Sequence, residues 1–364
     1  MKLGLLVKVR TGKLDANAAV SGGCYPFFTC SKEVSEIDTY AYDCECVLVA
    51  GNGDLNVKYY NGKFNAYQRT YIVERASSEI NMRYLYHFLS CYVDVLRRQS
   101  IGGVIKYIKL GNLTEADIKL PDKETQERIS MILDRLTHLI SLRQRQAEKL
   151  DELVKARFVE MFGDPVRNTK QFPLVELQDL YDVSSSKRVY QDEMVLDGIP
   201  FLRISDIVEK STNDKCTPQC FISQEMYDQL SQKGLTPNVG DILVTSRGTL
   251  GLCYEVKPGE KFYFQDGMIS WLYNRKDCVI NTYLLYAFRM PGIRKQIDGS
   301  NDGSTVSYLS IARLKRLKIE LPPLALQTEF SHFVHEVDRE KERIQRSAAL
   351  LETLKRSLMQ QYFG

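Results

Sequence analysis

The 364 residues suffice for two or three domains, and 44% hydrophobic with 26% charged residues allows a sizeable core, excluding collagen-like, low-complexity and wholly disordered chains. No run approaches 18 apolar residues, so no membrane span is expected; residues 1–8 hold too short an apolar core for a signal peptide, and nine cysteines, an odd number, are then expected as reduced thiols in a cytoplasm. Lys and Arg number 49 against 46 Asp and Glu, so any basic surface must come from clustering in three dimensions.

In chain order, residues 46–50 before Gly51-Asn52-Gly53-Asp54 predict a buried strand entering a tight turn, 71–73 a further strand and 81–97 a helix. Residues 118–120 read as a short extended segment stopped by Pro121, with Asp122 placed to cap a helix whose first turns carry Glu124 and Glu127. Apolar residues then recur at Ile129, Leu133, Leu136, Ile140, Ala147, Leu150, Val154, Phe158 and Met161, close to a heptad stripe, before Gly163 and, beyond it, Asp164 and Pro165. Further on, residues 241–245 before Ser246-Arg247-Gly248-Thr249 predict a second strand and turn, 268–272 another strand and 282–289 a helix. A second stripe follows at Phe330, Val334, Val337, Ile344, Ala348, Leu351, Leu354, Leu358 and Tyr362, ending at Gly364. Forty helical residues make a rod of about 60 Å.

These elements repeat. Offset by 201, residues 103–163 match 304–364 without a gap at fourteen identical positions, among them Tyr107/Tyr308, Leu120-Pro121/Leu321-Pro322, Gln126/Gln327, Leu150/Leu351 and Phe162-Gly163/Phe363-Gly364. Upstream matches need insertions: Val9/Val183 and Pro26-Phe27/Pro200-Phe201 at an offset of 174, Val49/Val244 and Gly53/Gly248 at 195, and Asn81/Asn281 with Leu85-Tyr86/Leu285-Tyr286 at 200. The first copy has only two or three residues to match the lead-in 168–175, which leaves its first strand open. A single apolar stripe on a long rod needs a partner, and two head-to-tail copies most simply place the rods antiparallel. The expected fold is α+β: two strand-rich domains joined by two long antiparallel coiled-coil helices in a pseudo-twofold repeat. The expected segments are 1–120, 121–163, 164–320 and 321–364. The alternative packs each amphipathic helix on its own separate domain.

The two front parts share strand positions but differ in their loops, which suits related but different recognition tasks. With Tyr25-Pro26-Phe27-Phe28-Thr29-Cys30, Ala50-Gly51-Asn52-Gly53 and Gly62-Lys63-Phe64-Asn65-Ala66-Tyr67-Gln68-Arg69-Thr70 in one copy, the chain resembles the DNA-specificity subunit of type I restriction-modification systems. Pro200-Phe201-Leu202-Arg203, 240–245 with Arg247-Gly248-Thr249, and Leu321-Pro322-Pro323-Leu324 to Gln327 carry the likeness in the other. The resemblance implies that each front part reads one half of a bipartite site on double-stranded DNA. It implies that the rods set the spacing and dock two methyltransferase subunits, which bind S-adenosylmethionine and methylate adenine. A motor-nuclease restriction subunit joins them in a restricting complex. It implies no catalysis and no cofactor in this chain.

The residues themselves offer little chemistry. Gly51-Asn52-Gly53 lacks the third glycine of a dinucleotide loop, no phosphate-cradling loop exists, and Pro322-Pro323 is followed by Leu324 rather than an aromatic. Cys44/Cys46 and Cys216/Cys220 have no second pair at zinc spacing, and His332 with His335 suits a helix surface better than a ligand pair. Loops carrying amide, basic and aromatic side chains suit base reading, since Asn and Gln match adenine and Arg matches guanine. The candidates are Asn52, Lys63, Asn65, Tyr67, Gln68 and Arg69 in the first front part, and Arg188, Arg203, Ser246, Arg247, Thr249 and Gln265 in the second. Asn52 and Thr249 could equally build turns, and Tyr67 could fill core. Leu136, Leu150, Val337 and Leu351 are expected at the helix and partner interface. Two other readings stay open: a stand-alone methyltransferase or nuclease targeting protein, and a coiled-coil scaffold that does not bind DNA.

Overall fold

The computed structural model describes residues 1–163, 168–213, 215–299 and 308–364. Asp164 and Pro165, expected beyond the first long helix, lie outside the described residues. The chain divides into two compact units, Met1–Ala147 with Arg343–Gly364, and Glu148–Glu342. These boundaries fall inside the long helices rather than at 120, 163 and 320. An amphipathic helix belongs to whatever covers its apolar stripe, so each unit holds one lobe and a portion of both helices.

In the first unit β1 (Val7–Thr11), β2 (Tyr25–Phe28), β3 (Ser35–Ile37), β4 (Tyr42–Ala50), β5 (Val57–Ala66) and β6 (Thr70–Arg75) form one sheet in the order β1-β6-β4-β5-β2-β3. All pairs are antiparallel except β2 with β5. α1 (Met82–Gln99), α2 (Leu110–Thr114) and the start of α3 (Lys123–Phe162) complete it. Side chains alternate across a strand. Val47 and Val49 therefore pack on Tyr84, Leu85, Phe88 and Leu89 of α1 and on Ile129 and Leu133 of α3. Cys46 and Leu48 face the other way, into a second core with Phe28, Tyr42, Phe64 and Ile72. Burial on both faces explains why residues 46–50 are continuously apolar.

The second unit contains β7 (Leu174–Glu176), α4 (Leu177–Leu180), β8 (Asp182–Ser184), β9 (Met194–Val195), β10 (Ile199–Leu202), α5 (Ile204–Asn213), β11 (Phe221–Ile222) and α6 (Gln224–Gln232). It continues with β12 (Ile242–Thr245), β13 (Cys253–Glu255), β14 (Tyr263–Phe264), β15 (Ile269–Tyr273), α7 (Asn281–Ala287), α8 (Pro291–Asp298), α9 (Ile311–Lys315), β16 (Lys318–Glu320) and the first half of α10 (Leu324–Phe363). Its sheets run β13-β12-β15-β8 and β14-β10-β11-β9. That is the order of the first lobe with β5 broken in two and one strand, β9, added at the far edge. β13 pairs with β12 as β5 pairs with β4, and β14 runs parallel to β10 as β5 does to β2.

The long helices run antiparallel within each unit. Leu358, Met359, Tyr362 and Phe363 of α10 pack on the core that holds Ile129 and Leu133 of α3. In the second unit Phe158 and Phe162 each lie 5.4 Å from the ring of Phe330, beside Val154, Val334 and Val337. Arg157 pairs with Glu329 at 2.7 Å and Lys341 with Asp151 at 2.6 Å. Asp122 caps α3, its Oδ1 accepting the Thr125 N–H at 2.8 Å, and Gly163 follows at φ +84°, the left-handed C-terminal position that favours glycine. Of the expected interface residues, Leu136 and Val337 are buried and Leu150 and Leu351 half-buried. Leu354 corrects the stripe: it is exposed, while Lys355 beside it is half-buried. The stripe steps from Leu351 straight to Leu358.

Matched hydrogen bonds tie each lobe to its helix. The fully buried Gln126 accepts the Asn81 N–H (2.9 Å) and donates to the carbonyls of Glu79 (2.9 Å) and Pro121 (2.8 Å). Gln327 accepts the Ile280 N–H (2.9 Å) and donates to Cys278 (3.0 Å) and Pro322 (2.8 Å). The Tyr84 hydroxyl donates to the Lys119 carbonyl and that of Tyr283 to Glu320. These pairs correct the alignment of α1 with α7, whose offset is 199, so Asn81 corresponds to Ile280 and not to Asn281. Asn81 caps α1, whereas Asn281 is the buried first residue of α7, its Oδ1 accepting the Tyr181 O–H at 2.7 Å. Two asparagines in similar sequence thus do different jobs. Lys2 bridges to Asp117 as Glu176 pairs with Lys318, and the ion pairs across the two ladders have reversed polarity, at 2.9 and 2.8 Å.

Candidate nucleic-acid interface

In the first lobe a set of loops meets at one edge. The Gly51 N–H donates to the Arg69 carbonyl (2.8 Å) and the Gly51 carbonyl accepts the Ile108 N–H (2.9 Å). Gly53 donates to Lys106 (2.9 Å), the Asn56 side chain to the Cys30 carbonyl (2.8 Å) and Lys58 Nζ to Ser31 (2.5 Å). Gly53 adopts φ +68°, which lets the turn close tightly and present Asn52. The second lobe repeats the staples: Ser246 N–H to Met268, Leu309 N–H to Ser246, and Gly248 at φ +64°. Asn52 therefore corresponds to Arg247, and Arg69 to Met268.

The structure brings some candidates together and sets others aside. Asn52 bridges Tyr107 in backbone pairing, and the Arg247 guanidinium lies 5.3 Å over the ring of Tyr308. Both tyrosines are half-exposed aromatics beside a candidate reading residue. Their identity across the repeat was the available signal, but without the fold nothing placed them beside these turns. Arg69, Gln68, Arg247, Thr249 and Arg203 are exposed, and Tyr67 and Gln265 are half-buried. Gln68 is turned onto Asp15 Oδ1 at 2.8 Å. Lys63 is held elsewhere on β5, 4.6 Å over the Tyr40 ring, a contact that raises its pKa. Arg188 is exposed and pairs through Nε with Asp266 at 2.8 Å, which leaves its terminal guanidinium donors open.

Two candidates are corrected. Asn65 is 4% exposed, its amide donating to the Thr39 carbonyl and its oxygen accepting the Ala66 N–H, so it braces the end of β5. Ser246 is 1% exposed, with Oγ 2.9 Å from the Ser270 hydroxyl. A polar group that is buried and satisfied cannot turn to a base without leaving its partners unpaired. Polarity in a turn-rich segment marked both, but the partners that hold them inside, Thr39 and Ser270, lie 26 and 24 residues away in sequence.

Among the described residues no group of three or more His, Cys, Asp or Glu side chains converges as a metal site, and no helix is long and apolar enough to cross a membrane. Cys46 is buried and burial pushes its thiol pKa far up, which makes it a packing residue rather than a nucleophile.

The family model for the type I restriction modification DNA specificity domain matches residues 1–152 and 170–352. The chain belongs to that family. Over 155 residues it is 41% identical to the type I restriction enzyme EcoDI specificity subunit of Escherichia coli, covering 43% of this chain and 34% of that one. The match thus spans about a third of that relative. It is 28% identical over 326 residues to the Haemophilus influenzae type I specificity subunit S.HindORF215P, covering 86% of this chain and 80% of the other. In fold it is similar to a type I restriction-modification S subunit from M. genitalium, with a TM-score of 0.63 at 16% identity over 100% of this chain and 95% of that one.

Proposed function

We propose that this chain directs a type I restriction-modification complex to DNA, each lobe reading one half of a bipartite site on double-stranded DNA. The observation that carries this is the pair of equivalent edges. The backbone staples match, yet Asn52 stands where the other lobe has Arg247, and Arg69 where it has Met268. Asn suits adenine and Arg suits guanine, so equivalent positions would read different bases. The long helices act as the ruler between half-sites and as the docking surface for two methyltransferase subunits. Those partners hold S-adenosylmethionine and carry out adenine-N6 methylation, and a restriction subunit joins them when DNA is cut. This chain supplies targeting, in the cytoplasm, without a cofactor of its own.

Genome-wide mapping of methylated adenines, with and without the gene and with its methyltransferase partner present, tests the reading. A two-part motif that disappears on deletion is the expected result. An unchanged methylation map would refute it.

A further inference from the structure

Ile101 and Tyr107 exchange both backbone hydrogen bonds, at 3.0 and 2.8 Å, and close a short projection whose tip is Gly102-Gly103-Val104-Ile105-Lys106. The staples from Gly53 to Lys106 and from Ile108 to Gly51 fix it beside the turn that carries Asn52. Gly102 sits at φ +115°, and a Cβ there would fall 2.6 Å from the Ile105 carbonyl, so the tip has a built shape. Val104 is fully exposed and Ile105 is 61% exposed. Adjacent β-branched side chains held out into water on an anchored loop point to a contact made with something else.

The surrounding charge says what that is. Asp54, the acidic residue of this turn, is neutralised by Lys32 at 2.9 Å and Arg97 at 3.4 Å. Arg69, Arg98, Lys106 and Lys109 have no ion pair with an acidic side chain among the described residues. An apolar tip beside uncommitted cations complements DNA, which offers phosphates around a groove floor of apolar base surface. By the offset of 201, positions 104 and 105 correspond to Thr305 and Val306, so the two copies differ here as they do at the reading turns.

We infer that Val104 and Ile105 are specificity contacts of the first lobe, pressing on apolar base surface in the half-site it reads. The inference rests on the DNA-reading function proposed above. That surface is either a thymine methyl group or the exposed face of a base at an opened step.

The test uses the full chain assembled with its methyltransferase partners on a duplex bearing the mapped site. The double variant Val104→Ser with Ile105→Ser should bind about 10-fold more weakly, the scale of one mismatched base pair. Its salt dependence should be unchanged, because no phosphate contact is lost. Replacing thymine by uracil in the first half-site should weaken the wild type but not the variant if the methyl group is the contact. A 2-aminopurine probe that brightens on binding, and does so less with the variant, would mark the opened step instead. Arg69→Ala is the control. Wild-type binding by the double variant alongside weakened binding by Arg69→Ala would overturn the tip contact and leave the reading edge standing. No effect of either change would remove the edge itself. Loss of partner assembly by the double variant would reassign the tip to a protein contact and overturn the inference.

Discussion

Replacing Gln126 or Gln327 by leucine tests the duplicated latch between lobe and helix. Each side chain closes three hydrogen bonds, at 2.8–3.0 Å, to backbone groups that helix or sheet does not satisfy. A net contribution of about 1 kcal/mol per bond, partly offset by the better burial of leucine, predicts a loss of roughly 2–3 kcal/mol in either unit. In units of this size that lowers the melting temperature by roughly 4–12 °C. Calorimetry on the intact chain should show similar losses for Gln126→Leu and Gln327→Leu, and near-additivity in the double variant, because the latches share no partner. Gln126→Glu separates hydrogen bonding from volume. Its carboxylate could still accept the Asn81 N–H but would face the Glu79 and Pro121 carbonyls without a proton to donate. Burial raises such a carboxyl's pKa, so this variant should be weakest at pH 8 and regain stability as the pH falls and a donor proton returns. A change below about 0.5 kcal/mol in either leucine variant would refute the latch.

Other outcomes follow from the same geometry. Arg69→Ala should weaken or relax recognition in one half of the methylated motif and Arg247→Ala in the other, checked by methylation mapping; unchanged methylation at both halves would remove the residue from the interface. Four residues inserted within α3, about one helical turn, should lengthen the unread spacer and leave both half-sequences unchanged; altered half-sequences would refute the ruler. His87 is buried with its Nε2 2.9 Å from Asp134, and desolvation, outweighing that carboxylate, lowers its pKa below the ordinary 6.5. The unfolded chain then takes up the proton first, so stability present above pH 6.5 is lost as the pH falls below it. Melting curves from pH 7.5 to 5 should fall more steeply for the wild type than for His87→Gln, and parallel curves would contradict the assignment.

The sequence by itself determined what is local or periodic. The stripe from Ile129 to Phe158, the cap at Asp122 and the glycine after Phe162 mark out a forty-residue helix, because period, cap and stop are short-range signals. The gapless match of the two tails specified a duplication, and the buried strand at residues 46–50 announced itself through unbroken apolarity. Only the tertiary structure decided what depends on register and on contacts distant in sequence. It set the offset of α1 against α7 at 199 through the bonds of Gln126 and Gln327, and it put Leu354 in solvent. It turned Asn65 and Ser246 into the interior while leaving Asn52 and Arg247 on the edge, since the groups that hold the buried pair, Thr39 for Asn65 and Met268, Ser270 and Leu309 for Ser246, come from segments remote in sequence. Tyr107 and Val104 join the edge for the same reason: residues fifty positions apart meet there through backbone bonds that no composition, period or spacing encodes.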